Sequence, residues 1–490
     1  MNDFFITLLL LGTMSGGPVL PFWAQAGQYG RMPDSSGGMV LVQVQKPFDD
    51  SRDFQWSWGV GLTDNTSSSV YVDEYYLSGR WKALTLDAGL KHREMDFMGA
   101  SSSLGPLSVT GGHLIESGNT RAIPGYRLSL APVDIPFTNG HLALYGFWGD
   151  FKTLDKRWVQ GALVHRGELF LLARIGEHLE VHAGLDHYAL WGGVSMDANW
   201  DNYWRVVTGS HASPNGSRSD QINVIGDHGG SECFKFKWSE DAWSLLFQHD
   251  IPYNDRSGMR FNNFPDGVNT LHFSWAQKDR WISDILYEFH YTRNQSGPLH
   301  EKETDAEGNV IPWHRGMHIA GGDNYFNNGE YKSGWTYYGR TIGLPLFFPT
   351  GTLNGSWNPS NLVLGIENNR IRAHHMGLSG QLFRRMPYKL MLTYSQNYGT
   401  FTKPYAGESA WGKPWGTVKE TPLWQLSTAL IGEVPAPFGL GWLHLAYGIY
   451  ADYGQVLPSQ FGATLGIRCQ WGRVPRPCLL RPRCFPGGCD

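Results

Sequence analysis

Short runs in which apolar and polar residues alternate recur along this chain of 490 residues. Clear examples are FQWSWGVGLT at 54–63, LTLDAGLKH at 84–92 and YKLMLTYSQNY at 388–398. Successive side chains of a strand point to opposite faces, so each run presents one apolar and one polar face. Runs of about 10 residues with this period are typical of strands that cross a bilayer. The pattern predicts a transmembrane β-barrel, because closure leaves no strand edge unpaired in the membrane.

Seventeen such runs predict strands, and we expect one to three more between Gly99 and Pro136. The predicted strands are 54–63, 69–78, 84–92, 140–151, 158–166, 168–175, 179–188, 233–238, 243–251, 269–276, 281–292, 362–373, 375–384, 388–398, 423–431, 440–450 and 460–467. HRGE, ARIGEHL and LFRRMPYK predict short hairpin turns. Since bacterial barrels have an even number of strands, the predicted fold class is all-β, a transmembrane antiparallel barrel of about 18 strands.

Composition narrows the class of protein further. Charged residues make up only 17% of the chain, aromatic residues make up 14%, and glycine occurs 61 times. No apolar run after residue 25 approaches the ~20 residues that a transmembrane helix needs. The net charge of -4, without a basic stripe, argues against a nucleic-acid partner. We therefore expect an integral protein of the cell outer membrane, in contact with its lipid.

The two ends of the chain differ from the alternating body. FFITLLLL at 4–11 followed by AQA at 24–26 predicts a signal peptide over residues 1–26, although Met1-Asn2-Asp3 carries no positive charge. The barrel is then expected over 27–468. A tail rich in Cys, Pro and Arg follows over 469–490 and is predicted to be flexible. An oxidising compartment would permit disulfides among Cys469, Cys478, Cys484 and Cys489, whereas their spacing does not match paired zinc knuckles.

One segment has helical rather than strand periodicity. In DANWDNYWRVV at 197–207, the residues Trp200, Tyr203, Trp204 and Val207 recur at helical spacing behind an acidic and amide-rich start. This predicts a short helix on a long connection. We expect it to plug the lumen, since irregular or helical excursions of a barrel cannot face lipid.

The aromatic block at 321–340, GGDNYFNNGEYKSGWTYYGR, carries the candidate binding site. Sugars present C–H faces that stack on aromatic rings and hydroxyls that need amide, carboxylate or guanidinium partners. The candidate polysaccharide-binding residues are Asp323, Asn324, Tyr325, Asn328, Trp335, Tyr337, Tyr338 and Arg340. The alternative is structural, because Tyr and Trp also form the interfacial girdles of barrels, and the glycines of the block serve turns.

Several segments together resemble one family. GGHLIESGNTRAIPGYRLSL, FNNFPDGVNTLHFSW, the DNYFNN…GW…YYGR block and NNRIRAHHMGLSG resemble Wzi-type capsule assembly proteins, in their Bacteroidetes-like branch, over residues 50–467. The resemblance implies an outer-membrane barrel with helical segments closing its periplasmic side. It also implies a lectin-like role in attaching capsular or other surface polysaccharide to the cell. A polysaccharide export channel is a further candidate partner, and the sequence leaves open whether the barrel works beside one.

The sequence gives weaker support to a metal site or a catalytic site. His374 and His375 are neighbours, so on a strand they face opposite sides and cannot hold one metal ion together. Ser379 would share a face with His375, but four residues along a strand span about 13 Å, too far for a nucleophile and its base. We therefore predict no catalytic residues, no metal and no cofactor. The alternative function is a sugar-permeable, porin-like channel, and it differs from the lectin-like one in what fills the lumen.

Overall fold

The computed structural model is a closed β-barrel of 18 antiparallel strands. It describes residues 4–49, 52–93, 104–110, 114–213, 224–254, 261, 263–296, 323–409, 413, 417–436 and 440–472. Every barrel strand pairs with its neighbours in the chain, and the first strand pairs with the last to complete the ring. The predicted fold class is confirmed.

The barrel strands are numbered in chain order. They are β1 (Phe5–Ser15), β2 (Gly37–Lys46), β3 (Phe54–Asn65), β4 (Ser68–Trp81), β5 (Leu84–Leu90), β6 (Gly125–Asp134), β7 (Leu142–Lys152), β8 (Leu163–Ile175), β9 (Leu179–Trp191), β10 (Asp227–Ser239), β11 (Trp243–Tyr253), β12 (Gly267–Trp275), β13 (Asp284–Tyr291), β14 (Ile371–Leu382), β15 (Met386–Asn397), β16 (Leu423–Pro435), β17 (Leu443–Gly454) and β18 (Gln460–Gly472). Helix α1 spans Phe22–Gln25, a 3₁₀ turn spans Gly193–Ser195, and helix α2 spans Trp200–Val207. Two small hairpins pair Thr336–Tyr337 with Arg340–Thr341, and Phe348–Pro349 with Ile366–Asn368.

Strand β3 shows why the alternating pattern encodes this wall. Its small and polar residues, such as Ser57 and Thr63, are buried toward the lumen, while Trp56, Val60 and Leu62 are exposed on the outer face. Exposed tryptophans also ring the outer face at one end of the barrel. They are Trp56, Trp81, Trp238, Trp281, Trp442 and Trp471. Such a ring is typical of the membrane–water interface.

The two ends of the barrel carry different connections. At the end with the tryptophan ring the connections are short, for example 82–83, 176–178, 240–242 and 383–385. At the opposite end they include 16–36, 91–124, 192–226 and 292–370. Bacterial barrels place short turns in the periplasm and long loops outside the cell. This rule predicts that the long-connection end faces outward.

The predicted total of about 18 strands is correct because two strands predicted in excess offset two strands that were missed. Residues 158–166 and 168–175 are not two strands joined by an HRGE turn, because Gly167 lies inside the continuous strand β8. Likewise 362–373 is not a separate strand, since β14 begins at Ile371. Strands β1 and β2 were missed, and β6 is the strand expected between Gly99 and Pro136. ARIGEHL and LFRRMPYK do form turns.

The ends of the chain take part in the barrel. Residues 5–15, which include most of the predicted apolar core of the signal peptide at 4–11, form β1 and pair with β2 on one edge and β18 on the other. Cleavage after Ala26 stays a prediction, and it would remove β1 and α1 from this barrel. Cys469 belongs to β18 and forms no disulfide with another described residue, so the predicted start of the tail at 469 falls inside β18. Cys478, Cys484 and Cys489 lie outside the described residues.

Among the described residues, no helix is both long enough and apolar enough to cross a membrane.

Candidate functional site in the barrel plug

Connections from the long-connection end fill the lumen there. The plug consists of the described residues 16–36, 104–110, 114–124 and 323–370. Its apolar side chains form one contiguous cluster with lumenal residues from several sides of the wall. The cluster includes Phe22, Trp23, Val109, Ile115, Trp335 and Phe347 of the plug, together with Met39, Val164, Tyr188, Ile371, Met391, Ala429 and Tyr450 of the wall. The plug and the wall therefore share one apolar core inside the lumen.

Polar contacts fix the plug to the wall. Glu288, fully buried on β13, accepts hydrogen bonds from Ser108 Oγ at 2.5 Å and from the Val109 backbone N–H at 2.9 Å. His375 of β14 lies 2.7 Å from the carbonyl oxygen of Leu107 through Nε2. Gly377 allows this approach, because a Cβ there would lie 2.9 Å from the Leu107 Cβ. The AHHMGLSG motif thus supports the plug.

The plug leaves the wall at the long-connection end. The resemblance implied helical segments that close the periplasmic side, and which end of the barrel faces the periplasm stays a prediction. In the lumen the only described helix is α1, of four residues. The filling is mostly irregular backbone, which a barrel tolerates where protein surrounds it.

The predicted plug helix lies on the outside of the barrel. Residues 200–207 do form α2, and the Asn199 side chain caps it by accepting a hydrogen bond from the Asn202 backbone N–H. However, the Tyr203 hydroxyl accepts from Trp148 Nε1 at 2.9 Å and donates to Asp150 at 3.1 Å. Both partners stand on the outer face of β7, since Phe147 and Phe151 occupy the lumenal face.

The exposure of α2 agrees with this position. Trp200 is 76% exposed and Trp204 is 54% exposed, while Val206 is buried against Ala189 and Trp191 of the outer face of β9. Sequence periodicity identified the helix but could not tell which side of the wall it covers.

Three aromatic candidates of the block are buried in the plug. The Tyr325 hydroxyl donates to Asp266 at 2.9 Å. Trp335 Nε1 donates to the Ile115 carbonyl at 2.6 Å, and its ring meets Tyr188 of β9 edge-on. Tyr337 is 1% exposed, and burial raises the pKa of its hydroxyl. These rings hold the plug together.

The amide and carboxylate candidates are mainly engaged in local structure. Asn328 Oδ1 accepts hydrogen bonds from the backbone N–H groups of Glu330 and Tyr331, which fixes a turn. Asp323 accepts from the Asn263 side chain at 3.2 Å. Asn324 is exposed, and its Oδ1 accepts from Asn369 at 2.6 Å.

Tyr338 is the aromatic candidate of the block that stays exposed, whereas the Arg340 side chain is largely buried. Tyr338 is 39% exposed, and the Arg121 guanidinium lies 4.5 Å from its ring centre and 3.5 Å from that of Tyr71. Arg340 binds Asp34 at 2.9 Å and Gln25 at 3.1 Å, and burial lowers the pKa of its guanidinium. A guanidinium between two rings beside a half-exposed tyrosine can offer both stacking and hydrogen bonds to a ligand.

Arg121 also lines a small cavity between the plug and the lumenal face of β5–β8. This basic cleft is formed mainly by Tyr29, Lys91, His92, Arg93, Glu116, Arg121, Phe151 and Arg166. Sequence reasoning missed it, since its side chains come from separate segments and Arg166 was placed in a turn. The GGHLIESGNTRAIPG segment, which contributes Glu116 and Arg121, was the only hint.

The histidine and serine candidates have other partners. His374 and His375 do face opposite sides of β14, and His375 Nδ1 lies 2.8 Å from the Thr393 hydroxyl. The Ser379 hydroxyl lies 3.3 Å from Asp284. Within the part of the chain that the structure describes, no group of three or more His, Cys, Asp or Glu side chains is placed to hold a metal ion.

Comparisons with known proteins identify the fold. No protein-family model matches the sequence, and no curated protein matches it. Among solved structures, the chain is similar to Escherichia coli Wzi, an outer membrane protein involved in group 1 capsule assembly and described as a carbohydrate-binding β-barrel. The TM-score is 0.56 at 13% identity, over 96% of this chain and 85% of that one. OccAB4 of Acinetobacter baumannii and OprD of Pseudomonas aeruginosa align with TM-scores of 0.45 and 0.44 at 8% and 9% identity, over 96% of this chain in both cases and over 97% and 96% of theirs. The fold is that of an outer-membrane β-barrel, and these likenesses define nothing finer.

Proposed function

We propose that the protein is an outer-membrane, lectin-like barrel that attaches capsular or other surface polysaccharide to the cell. The proposal rests mainly on one observation. The lumen is packed with a plug at the long-connection end, and that plug presents the half-exposed Tyr338 beside Arg121. A surface of this kind suits holding a sugar chain rather than passing one. The fold shared with Wzi is consistent with this role.

The proposal is tested on cells and on purified protein. Cells that lack the protein are expected to shed surface polysaccharide into the medium, and full retention would contradict the proposal. Purified barrel in detergent micelles is expected to bind the isolated polysaccharide, and Tyr338→Ala is expected to weaken that binding. Phe137→Ala is a matched control, since Phe137 is also an exposed aromatic residue but lies on the connection between β6 and β7 at the opposite end.

The second candidate is a sugar-permeable channel. It is favoured by the polar lumenal face near the short-connection end, where Ser78, Glu433 and Arg468 line the wall. Single-channel recordings in planar bilayers separate the two. A stable open conductance in the unmodified protein would support the channel and contradict a closed, polysaccharide-holding barrel.

A further inference from the structure

The basic cleft carries more positive charge than its own carboxylates balance. Lys91 pairs with Asp87 at 2.6 Å, and Arg166 pairs with Glu116. Arg93 and Arg121, by contrast, have no carboxylate within ion-pair distance among the described residues. Two guanidinium groups therefore line a narrow space without a direct ion-pair partner among the described residues, and Asp87 and Glu74 act on Arg93 only at longer range.

Arg93 is the least satisfied of these groups. Its Nη1 donates to the Lys91 carbonyl at 3.2 Å, but its Nε and Nη2 nitrogens are buried and have no hydrogen-bond partner among the described residues. Arg166 Nε is also buried without a hydrogen-bond partner in the described part of the chain. Leaving charged donors buried and unpaired is destabilising in general. Burial, with Arg166 and Arg127 nearby, lowers the pKa of Arg93 to about 9.

The surrounding geometry keeps these guanidiniums in place. The ring centre of Phe151 lies 5.0 Å from the Arg93 guanidinium and 5.4 Å from that of Arg166. The cavity they line has a volume of about 40 Å³. A single water molecule needs a cavity volume of roughly 10–15 Å³. The cavity therefore has room for a small charged group but is too small for a sugar ring.

We propose that the basic cleft binds the carboxylate of an acidic sugar, with Arg93 and Arg121 as its principal donors. This inference rests on the proposed function and names the class of polysaccharide: an anionic glycan that carries uronic acid or a similar carboxyl substituent. Guanidinium groups match the planar geometry of a carboxylate with paired hydrogen bonds. Arg121 links the cleft to the exposed ring of Tyr338, which gives the sugar ring a stacking surface outside the cavity.

The test uses the full-length barrel in detergent micelles and three probes. These are oligogalacturonate, the same oligosaccharide after carboxyl reduction, and inorganic phosphate, with affinities measured by calorimetry. The unmodified protein is expected to bind oligogalacturonate about tenfold or more tightly than the reduced form, since a charge-assisted hydrogen bond contributes roughly that factor. Arg93→Gln is expected to abolish the preference and leave the affinity for the reduced form unchanged. Equal binding of both oligosaccharides, or tighter binding of phosphate than of oligogalacturonate, would overturn the inference.

Two controls keep the result interpretable. Arg205→Gln removes a guanidinium that is ion-paired to Asp201 on α2, outside the barrel, and should keep the preference. Arg121→Gln tests the same cleft if Arg93→Gln fails to fold, as judged by circular dichroism, and must also reduce the preference. Binding of the reduced oligosaccharide without any preference would leave the proposed function standing and remove only this inference. Binding of neither oligosaccharide would contradict both.

Discussion

The indole Nε1 of Trp23 donates a hydrogen bond to the Thr393 hydroxyl at 3.1 Å, inside the barrel and far from Trp23 in sequence. The backbone N–H of the adjacent Phe22 donates to Asp452 at 2.9 Å. Two wall strands, β15 and β17, thus hold helix α1. Residues before position 27 are part of the packed plug as well as of the wall.

The predicted signal peptide and this closed barrel make opposite predictions for residues 5–26, and the closed barrel predicts that the folded protein retains them. Their removal would leave β2 and β18 with unpaired edges and take Trp23 out of the apolar cluster. N-terminal sequencing or intact mass of protein purified from the outer membrane checks this. A mature chain that begins at Gly27 would instead confirm the predicted signal peptide and require another closure of the barrel.

Two residues of the aromatic block should respond differently to replacement by alanine. Trp335 is 5% exposed and hydrogen-bonded, so Trp335→Ala should lower the free energy of unfolding by about 3–5 kcal/mol, as for large aromatic residues in cores. Tyr338→Ala should change it by less than about 0.5 kcal/mol, as for most surface changes, while weakening polysaccharide binding. Urea unfolding and binding assays on both variants check this. A Tyr338→Ala variant that unfolds as easily as Trp335→Ala would show that Tyr338 is structural.

The sequence predicted more of the fold than of the candidate site. Period-two alternation follows directly from a wall with lipid on one side and a polar lumen on the other, which is why β3, β5 and β15 were identified. The alternation did not identify β1, because its lumenal residues Leu9 and Leu11 pack against the plug. They are therefore as apolar as the residues of its outer face. Where the lumen is filled by protein core, the alternation disappears.

The site was harder to predict for a related reason. A plug core and a sugar-binding surface both require aromatic rings next to amide groups, so composition could not separate Trp335 from Tyr338. The basic cleft depends on side chains from β7 and β8, from residues 91–93 after β5 and from plug segments, and only folding brings Arg93, Arg121 and Arg166 together.

The positions of the two helices predict different effects of their substitutions on conductance. Because α2 covers the outer wall, Trp200→Ala with Trp204→Ala should leave the conductance of the barrel in planar bilayers unchanged. Phe22→Ala with Trp23→Ala removes core side chains of α1 from the lumen and should raise the conductance or the frequency of openings. The reverse outcome would return α2 to the role of plug helix that its sequence suggested.

Asp266 gives the plug a dependence on pH. Its carboxylate accepts hydrogen bonds from the backbone N–H groups of Asn294 and Gln295, both at 2.6 Å, and from Tyr325. Full burial raises its pKa to about 7, despite these hydrogen bonds. The folded state therefore holds a proton that the unfolded chain, with an aspartate pKa of about 3.9, has already released above pH 5.

The sign of the effect follows from this difference in bound protons. Where the folded state binds more protons, stability falls as pH rises, so the contribution of Asp266 is present at low pH and is lost between about pH 4 and pH 7. We expect the free energy of unfolding to be on the order of 1–3 kcal/mol greater at pH 5 than at pH 8 from this group. Urea unfolding at both pH values measures it. Asp266→Asn cannot lose a proton and should reduce the difference, whereas an identical pH profile in that variant would exclude Asp266 as its source.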